Sequence, residues 1–184
     1  LLRHAYPKLD DSKFKVRPHQ VQGIINRRPN LDFNSGLRIG VVGSINYAKG
    51  AKIIEDMAKL IEQQRLKAKI YVIGRYNGNI RKKIIHVTGP YRREELPDII
   101  ERTGANVFFV PSVWPETFSY VTEELMQMHV PLAVFNIGAP PERVSQYPLG
   151  RIIPEINAEA ALNTLIELYQ EMRGLTIYPD SEKG

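Results

Sequence analysis

The sequence contains no cysteine among its 184 residues and only one tryptophan. The absence of cysteine excludes a disulfide framework and thiolate metal sites, and it suits a reducing compartment such as the cytoplasm. No apolar run reaches the roughly 20 residues that cross a bilayer, and the start LLRHAYPKLDD lacks the pattern of a secretory signal. No repeat or low-complexity tract divides the chain. The sequence therefore predicts one globular domain.

Hydrophobic residues make up 43% of the chain, which is enough for a substantial core. Lysine and arginine outnumber aspartate and glutamate by 25 to 20, so anionic partners are compatible with the charge. The basic residues form small groups at 13–17, 27–28, 81–83 and 92–93. No group is a continuous stripe with interleaved aromatics, so nucleic acid is not an expected partner. The groups are either solvated surface or contacts for phosphate, including anionic lipid at the inner face of the cytoplasmic membrane.

Strand-like and helix-like segments alternate along the chain. Strands are predicted at 37–43, 69–74, 83–89, 106–111, 131–136 and 151–154, and helices at 48–66, 93–104, 118–128, 140–146 and 158–172. Alternation of this kind requires crossover connections, which build a parallel sheet covered on both faces. The predicted fold is a Rossmann-like, doubly wound α/β domain.

Several predicted strands end in a residue that permits a tight turn, namely Gly43, Gly74, Gly89, Pro111 and Asn136. In an open parallel sheet the ligand crevice lies beyond the carboxyl ends of the strands, where loops lead into helices. We therefore expect the loops after these residues to line one crevice. A single glycine at a strand end often serves only a sharp turn, but several in the same topological position favour a ligand edge.

The glycines match neither common phosphate-binding motif. GVVGSIN lacks the third glycine of a dinucleotide fingerprint, and GSINYAKG lacks the glycine and hydroxyl that flank the lysine of a P-loop. Lys49 nevertheless lies near the start of a predicted helix, where an ammonium group and free amides suit a phosphate. The alternative is a surface lysine without a ligand.

The segment PSVWPETFSYVTEE, residues 111–124, places two acids around a predicted helix start. Glu116 precedes the helix, and Glu124 lies two turns into it. The positive end of the helix dipole would then lie at the amides of Phe118, Ser119, Tyr120 and Val121. Carboxylates accept hydrogen bonds in pairs from vicinal hydroxyls, so acids on both sides of a diphosphate site suit a nucleotide sugar. The alternative is that both are ordinary surface acids of a helix.

The longer stretch PSVWPETFSYVTEELMQMHVPLAVFNIGAPPERV resembles the donor-site region of retaining glycosyltransferases of the GT-B fold, family 4 type, or glycosyltransferase group 1. LRIGVVGSINYAKG is similar to the first glycine loop and its lysine. IHVTGPYRREELPDII is similar to the loop that holds the nucleotide base, and KFKVRPHQV to the lead-in to the nucleotide-binding domain. The resemblance covers about residues 14–155 and is closest to bacterial surface-polysaccharide transferases.

The resemblance implies catalytic roles for Lys49 and Glu116. Lys49 would neutralise the departing diphosphate, and Glu116 would hold hydroxyls of the transferred sugar. Glu124 would bind the ribose hydroxyls.

The resemblance also implies a set of donor-binding residues. Gly43 would let the backbone approach the diphosphate. The family commonly has arginine after this glycine, where this chain has Ser44, and Arg75 at the end of the next strand would supply the missing charge. Further departures are ETFS for E-x-F-G, EL for E-A, and His129 for the glycine before Val-Pro. The amides expected to contact the phosphates are those of Phe118, Ser119 and Tyr120.

The remaining candidates have simpler interpretations as well. Trp114 is either a packing anchor or a wall of the donor pocket, and Glu142 either contacts the donor sugar or caps its helix. His86 is expected in a strand, and His19 and His129 in loops. No histidine pair has metal-ligand spacing and no Asp-x-Asp is present, so we expect no metal and no cofactor.

Taken together, these features predict the donor-binding domain of a GT-B glycosyltransferase, moving a sugar from a nucleotide diphosphate to a glycan or lipid-linked acceptor with retention. Because the chain begins with leucine, we expect it to be a piece of a longer protein. The resemblance implies that the N-terminal acceptor domain is missing, and we expect this chain alone to bind donor without turnover. Residues 1–36 would be the linker, 37–173 the nucleotide-sugar-binding domain and 174–184 a tail. The alternatives are a non-catalytic nucleotide- or sugar-binding module and a nucleotide-sugar epimerase.

Overall fold

A computed structural model describes residues 27–177 of the chain. The predictions for the basic group at 13–17, for His19 and for the lead-in KFKVRPHQV lie outside the described residues.

Six strands form a single sheet in the order β3-β2-β1-β4-β5-β6, and every neighbouring pair is parallel. The parallel α/β sheet predicted from the alternating segments is confirmed. Strand order reverses between β1 and β4, and such a switch point opens a crevice at the carboxyl ends of the strands. The strands are β1 (Leu37–Ile45), β2 (Ala68–Tyr76), β3 (Ile85–Val87), β4 (Val107–Val110), β5 (Leu132–Phe135) and β6 (Gly150–Ile153).

Five helices cover the two faces of the sheet within the described part of the chain. They are α1 (Ala51–Gln63), α2 (Leu96–Thr103), α3 (Tyr120–Gln127), α4 (Pro140–Val144) and α5 (Ala158–Ile177), and a 3-10 turn at Arg93–Glu95 leads into α2. Helices α1 and α5 pack on one face, and α2, α3 and α4 pack on the other. Among residues 27–177, no helix has both the length and the apolar character that a membrane span requires.

The central strands are buried on both faces, which explains their unbroken apolar runs. Every residue of β4 and of β5 is buried. Successive side chains of a strand point to opposite faces, so Phe108 belongs to the core beneath α2, α3 and α4, while Phe109 belongs to the core beneath α1 and α5. Phe109 packs edge-to-face on Phe135 with ring centroids 5.2 Å apart. The two cores fix the sheet between the helix layers.

Helix α3 begins at Tyr120, so the predicted start near Phe118 is wrong. Ser119 has an extended backbone, with φ of −124°, and its Oγ accepts a hydrogen bond from the Thr122 N–H at 3.4 Å. This is the geometry of an N-cap residue, which ends the preceding loop instead of joining the helix. Glu124 therefore lies about one turn into the helix and not two.

The prediction that Gly43 and Gly74 end their strands in tight turns is also wrong. β1 continues to Ile45 and β2 to Tyr76, and the two glycines are register partners within the sheet. Gly74 has φ of 135°, and a Cβ atom there would lie 2.0 Å from the Gly43 carbonyl oxygen. The strands therefore approach too closely for a side chain at Gly74, and they need glycine for this reason instead of for a turn.

Candidate functional site

A cavity of about 60 Å³ lies at the carboxyl ends of β1 and β4, at the point where the strand order reverses. Its walls come from the two strand ends, from the loops that follow them and from the start of α3. Chain segments far apart in sequence therefore meet here. Five of the nine residues predicted for the site line this cavity: Gly43, Ser44, Lys49, Glu116 and Ser119.

An ion pair between Lys49 and Glu116 crosses this cavity. Lys49 Nζ lies 2.6 Å from Glu116 Oε1, and the glutamate side chain is only 12% exposed while that of the lysine is 46% exposed. The backbone N–H of Lys49 donates to Asn46 Oδ1 at 3.0 Å, so this amide already has a hydrogen-bond partner within the loop. The ammonium group of Lys49 thus remains the cation of the cavity, and Glu116 is its counter-charge.

The main chain of Glu116 is braced by the loop between β5 and α4. The Ala139 N–H donates to the Glu116 carbonyl oxygen at 2.8 Å. Gly138 has φ of 71°, and a Cβ atom at this position would lie 2.6 Å from the Glu116 nitrogen and 2.7 Å from its oxygen. Only glycine permits this approach, so Glu116 is fixed by Lys49 at its side chain and by this loop at its backbone.

Glu124 is a buried acid paired with Arg93. Arg93 Nε lies 2.7 Å from Glu124 Oε1, and the glutamate side chain is 12% exposed. Burial raises the pKa of Glu124, and the neighbouring guanidinium opposes this rise. The adjacent Tyr91 has its pKa raised to about 12, mainly by burial and also by the Glu124 charge. The interpretation of Glu124 as an ordinary surface acid of the helix is therefore wrong.

Arg93 is the partner of Glu124 that sequence reasoning missed. It belongs to a basic group expected to be solvated surface or an anion contact, whereas it pairs with a buried carboxylate. The available signal was its position, because it follows β3 and precedes α2, as Lys49 follows β1 and precedes α1. Residues at corresponding loop positions of a parallel sheet converge on one edge.

The hydrogen bonds at the start of α3 use two amides that follow the predicted ones. Ser119 accepts both of them, the Thr122 N–H at its Oγ and the Glu123 N–H at its carbonyl oxygen, the latter at 3.3 Å. Ser119 and Val121 line the cavity. The rings of Phe118 and Tyr120 pack edge-to-face with centroids 4.9 Å apart, and neither residue belongs to the cavity lining. The part of the helix start that borders the cavity is therefore formed by Ser119 and Val121.

Arg75 lies beside Ser44 in the sheet. The two residues are register partners on β2 and β1, and both are exposed at the carboxyl edge. Register partners point to the same face of a sheet, so the guanidinium group starts from the face on which Ser44 lies. Arg75 is outside the cavity lining, which makes it a neighbour of the site.

Other predicted candidates lie apart from the cavity. Trp114 is 68% exposed, so its interpretation as a packing anchor is wrong. His86 lies in β3 as predicted and stacks on Tyr71 with ring centroids 5.1 Å apart. His129 is exposed in the loop after α3, as predicted. Within residues 27–177, no three or more histidine, aspartate or glutamate side chains are grouped to hold a metal ion.

Two larger open cavities lie at the other end of the strands, where β1 and β2 begin. Their volumes are about 470 and 560 Å³, and both are bordered by Leu37 and Ala68 at the amino ends of β1 and β2. Among the described residues that line them, no two form an ion pair like that of Lys49 and Glu116. The smaller cavity is the candidate functional site, because ligands of parallel α/β sheets bind beyond the carboxyl ends of the strands.

The family model described as "Glycosyl transferases group 1" matches residues 36–171, which is most of the chain. The chain belongs to this family. The match begins at β1 and ends within α5, so it contains all of the cavity lining. Membership of this glycosyltransferase family favours a transferase over the binding module and the epimerase. A comparison with curated proteins found no significant match.

Solved structures of glycosyltransferases have the same fold as this group 1 domain. Sucrose-phosphate synthase from Thermosynechococcus elongatus is 18% identical, with a TM-score of 0.63 over 79% of this chain and 41% of its own. HepE from Anabaena, solved with UDP-glucose, is 14% identical, with a TM-score of 0.62 over 77% of this chain and 41% of its own. TarM from S. aureus, solved with UDP and saccharides, is 14% identical, with a TM-score of 0.62 over 79% and 31%. The chain thus spans less than half the length of each.

Proposed function

We propose that this domain binds a nucleoside diphosphate sugar in the crevice between β1 and β4. The observation that carries the proposal is the juxtaposition of Lys49, Glu116 and the start of α3 at the switch point of the sheet. A diphosphate needs a cation and amide donors, and a sugar needs acceptors for its hydroxyls. HepE, which has the same fold, was solved with UDP-glucose, and this supports the same ligand class here.

The proposed arrangement places the diphosphate between the two acids. Lys49 and the first turn of α3 hold the phosphates, with Gly43, Ser44 and Arg75 on the β1–β2 side. Glu116 accepts hydrogen bonds from the sugar.

Glu124 holds the ribose in this arrangement. It lies about one helical turn from the start of α3, and its carboxylate, which is paired with Arg93, is the acceptor for the ribose hydroxyls.

The proposed reaction is transfer of the sugar to a glycan or lipid-linked acceptor, with retention at the anomeric carbon. As the bond between sugar and diphosphate breaks, negative charge grows on the leaving phosphate. Lys49, the α3 dipole and Arg75 stabilise that charge, which is the main electrostatic task of the site. The chain's own cations carry this task, so we propose that no metal or other cofactor is required.

We also propose that the domain is the C-terminal half of a GT-B enzyme in a reducing compartment. Residues 1–36 would lead from an acceptor-binding domain and 37–173 would form the donor domain. Because α5 continues to Ile177, the tail predicted at 174–184 would begin only after this helix. The small volume of the crevice supports a partner domain, because a site for a whole nucleotide sugar usually encloses several hundred cubic ångströms. Alone, this chain would bind donor without turnover.

Titration calorimetry with a panel of nucleoside diphosphates tests the proposal. UDP, GDP, ADP and TDP are each compared with the matching monophosphate and the matching glucose conjugate. We expect at least one diphosphate to bind ten or more times tighter than its monophosphate, because Lys49 and α3 act on the second phosphate. Absence of binding by every diphosphate, or equal affinity for monophosphate and diphosphate, would refute a diphosphate site in this crevice.

A further inference from the structure

Arg143 and Glu123 connect α4 to α3 through a bidentate pair. Arg143 Nε donates to Glu123 Oε1 at 2.6 Å, and Nη2 donates to Oε2 at 2.7 Å. The glutamate side chain is only 11% exposed, whereas that of the arginine is 58% exposed. A forked guanidinium–carboxylate pair fixes both distance and orientation, which a single contact does not. The two helices are therefore joined by a directional link at their solvent side.

Each end of this link leads to one of the two acids of the site. On α3, Glu123 is followed directly by Glu124, which pairs with Arg93. On the other side, α4 starts from the loop whose Ala139 N–H donates to the Glu116 carbonyl oxygen at 2.8 Å.

Gly138 transmits any displacement of α4 to Glu116. Its Cα hydrogen occupies the space in which a Cβ atom would lie 2.6 Å from the Glu116 nitrogen. The contact is therefore between two backbones, without a flexible side chain to absorb movement. Pro140 and Pro141 follow within the same short helix and are buried. A stiff segment thus runs from Arg143 to the backbone of Glu116.

From this chain of contacts we infer that Arg143 is a positioning residue that sets the separation between Glu116 and Glu124. Arg143 touches neither acid, and it acts through Glu123 on one side and through α4 and Ala139 on the other. The inference rests on the proposed function, since the separation matters for a ligand with a sugar beyond one end of a diphosphate and a ribose beyond the other. Loss of the link weakens recognition of the sugar more than recognition of the nucleotide.

The test compares Arg143→Ala with Arg151→Ala in the 184-residue chain. Arg151 also forms a cross-element ion pair, joining β6 to Glu171 of α5, but at the far edge of the sheet. The tightest-binding diphosphate of the panel and its glucose conjugate are titrated into each variant. The readout is the dissociation constant of the diphosphate divided by that of the conjugate. We expect Arg143→Ala to reduce this ratio roughly three- to tenfold with diphosphate affinity changed less than twofold, and Arg151→Ala to change neither.

Coupling to Glu116 is tested by adding Glu116→Gln. If Arg143 acts through Glu116, then Arg143→Ala changes the ratio no further in the Glu116→Gln background. Arg143→Lys, which keeps the charge but cannot fork, is expected to recover less than half of the lost ratio. An undiminished effect of Arg143→Ala in the Glu116→Gln background would overturn the inference.

Hydrogen exchange of the Ala139 amide gives a readout without any ligand. Arg143→Ala is expected to accelerate this exchange at least tenfold, while Arg151→Ala leaves it unchanged. If exchange is unchanged, or if it accelerates while the affinity ratio stays constant, the positioning role is wrong. A different pattern identifies failure of the proposed function instead: Ala139 exchange accelerates, but the wild-type chain binds diphosphate and conjugate equally and Glu116→Gln has no effect. That pattern would confine Arg143 to bracing the loop and overturn its role in sugar recognition.

Discussion

Lys49 and Glu116 face each other across the crevice, with Nζ 2.6 Å from Oε1, although 67 positions separate them in the chain. They follow different strands, β1 and β4, and meet only because those strands are neighbours in the sheet. The pair joins the residue proposed for the diphosphate to the residue proposed for the sugar. Each therefore neutralises the other, and a diphosphate must share Lys49 with Glu116 or separate the pair.

Replacing Glu116 by glutamine is expected to strengthen binding of a nucleoside diphosphate. The substitution releases Lys49 from its counter-charge, and a partly exposed ion pair is worth at most about 1 kcal/mol, so affinity should rise by up to about fivefold. The same variant should lose most of the extra affinity for the sugar conjugate, because a neutral amide is a weaker acceptor for hydroxyls. Calorimetry with both ligands checks the two effects, and weaker binding of the diphosphate would contradict the competition.

Lys49→Ala is expected to weaken diphosphate binding by about 1.5–3 kcal/mol, the usual range for a charged hydrogen bond. The dependence of affinity on salt should also become shallower, because one exposed cation is lost. Lys52→Ala is the matched control, since Lys52 is an exposed lysine of α1 that pairs with Asp56 away from the crevice. Equal effects of the two substitutions would show that general charge, and not Lys49, attracts the ligand.

Arg75 and Ser44 provide an exchange test for the second cation. Arg75→Ala is expected to weaken diphosphate binding about three- to tenfold, which is about 0.6–1.4 kcal/mol for an exposed cation near phosphate. Because the two residues are register partners, Ser44→Arg in the Arg75→Ala background places a guanidinium group on the adjacent strand. Affinity should recover in the double variant. Arg75→Ala without any effect would remove Arg75 from the site.

Acidification is expected to weaken diphosphate binding through Glu124, whose pKa burial raises. The protonated carboxyl group is a poorer acceptor for ribose, so affinity falls as pH drops through this pKa. Arg93 opposes the rise in pKa, so in Arg93→Gln the fall should begin at a higher pH. The affinity of Arg93→Gln is measured from pH 8 to pH 5. Arg102→Gln is the control, since Arg102 is an exposed arginine of α2. Titration of the phosphate affects both variants equally, so the difference between them reports Glu124.

Stability should respond to the same pair with a defined sign. A carboxyl group whose pKa is higher in the folded state binds protons more tightly there, so its contribution favours folding at low pH and is lost as pH rises through the folded pKa. The melting temperature of Arg93→Gln minus that of Arg102→Gln should therefore fall as pH rises. This fall should extend to higher pH than the pH range over which Glu124 titrates in the wild type. A constant difference at all pH values would contradict coupling between Arg93 and the ionisation of Glu124.

Gly74→Ala is expected to destabilise the sheet by about 3 kcal/mol or more, combining strain at positive φ with overpacking. A Cβ atom at this position would lie 2.0 Å from the Gly43 carbonyl oxygen. Gly89→Ala is the control, because Gly89 also has positive φ, 85°, but a Cβ atom there would have no other atom within 4 Å. Its cost should be about 1–2 kcal/mol, from backbone conformation alone. Urea denaturation measures the loss in free energy of unfolding for each variant. Equal losses in Gly74→Ala and Gly89→Ala would show that β1 and β2 move apart to accommodate the added methyl group.

Much of the fold was predictable because it depends on local patterns. The alternation of apolar strands with helical spacing predicted the parallel sheet, and the six strands were recognisable from their apolar runs. Boundaries were less accurate, since capping decides them. Ser119 could either continue the helix or cap it, and its hydrogen bond to Thr122 selected the cap. Gly43 and Gly74 suggested turns, but their partnership within the sheet is a contact between two strands that neither segment reveals alone.

The sequence by itself determined the class of the fold, the family and the residue types available at the carboxyl edge, because periodicity and short motifs are local properties of the chain. Tertiary structure alone decided the partners: Lys49 with Glu116, Arg93 with Glu124, and Arg143 with Glu123. Each pair joins segments that the sheet order brings together, and the charge of a side chain does not specify which opposite charge it will meet. Burial was decided in the same way, since Glu124 becomes a buried acid and Trp114 an exposed aromatic only through the packing of other elements around them.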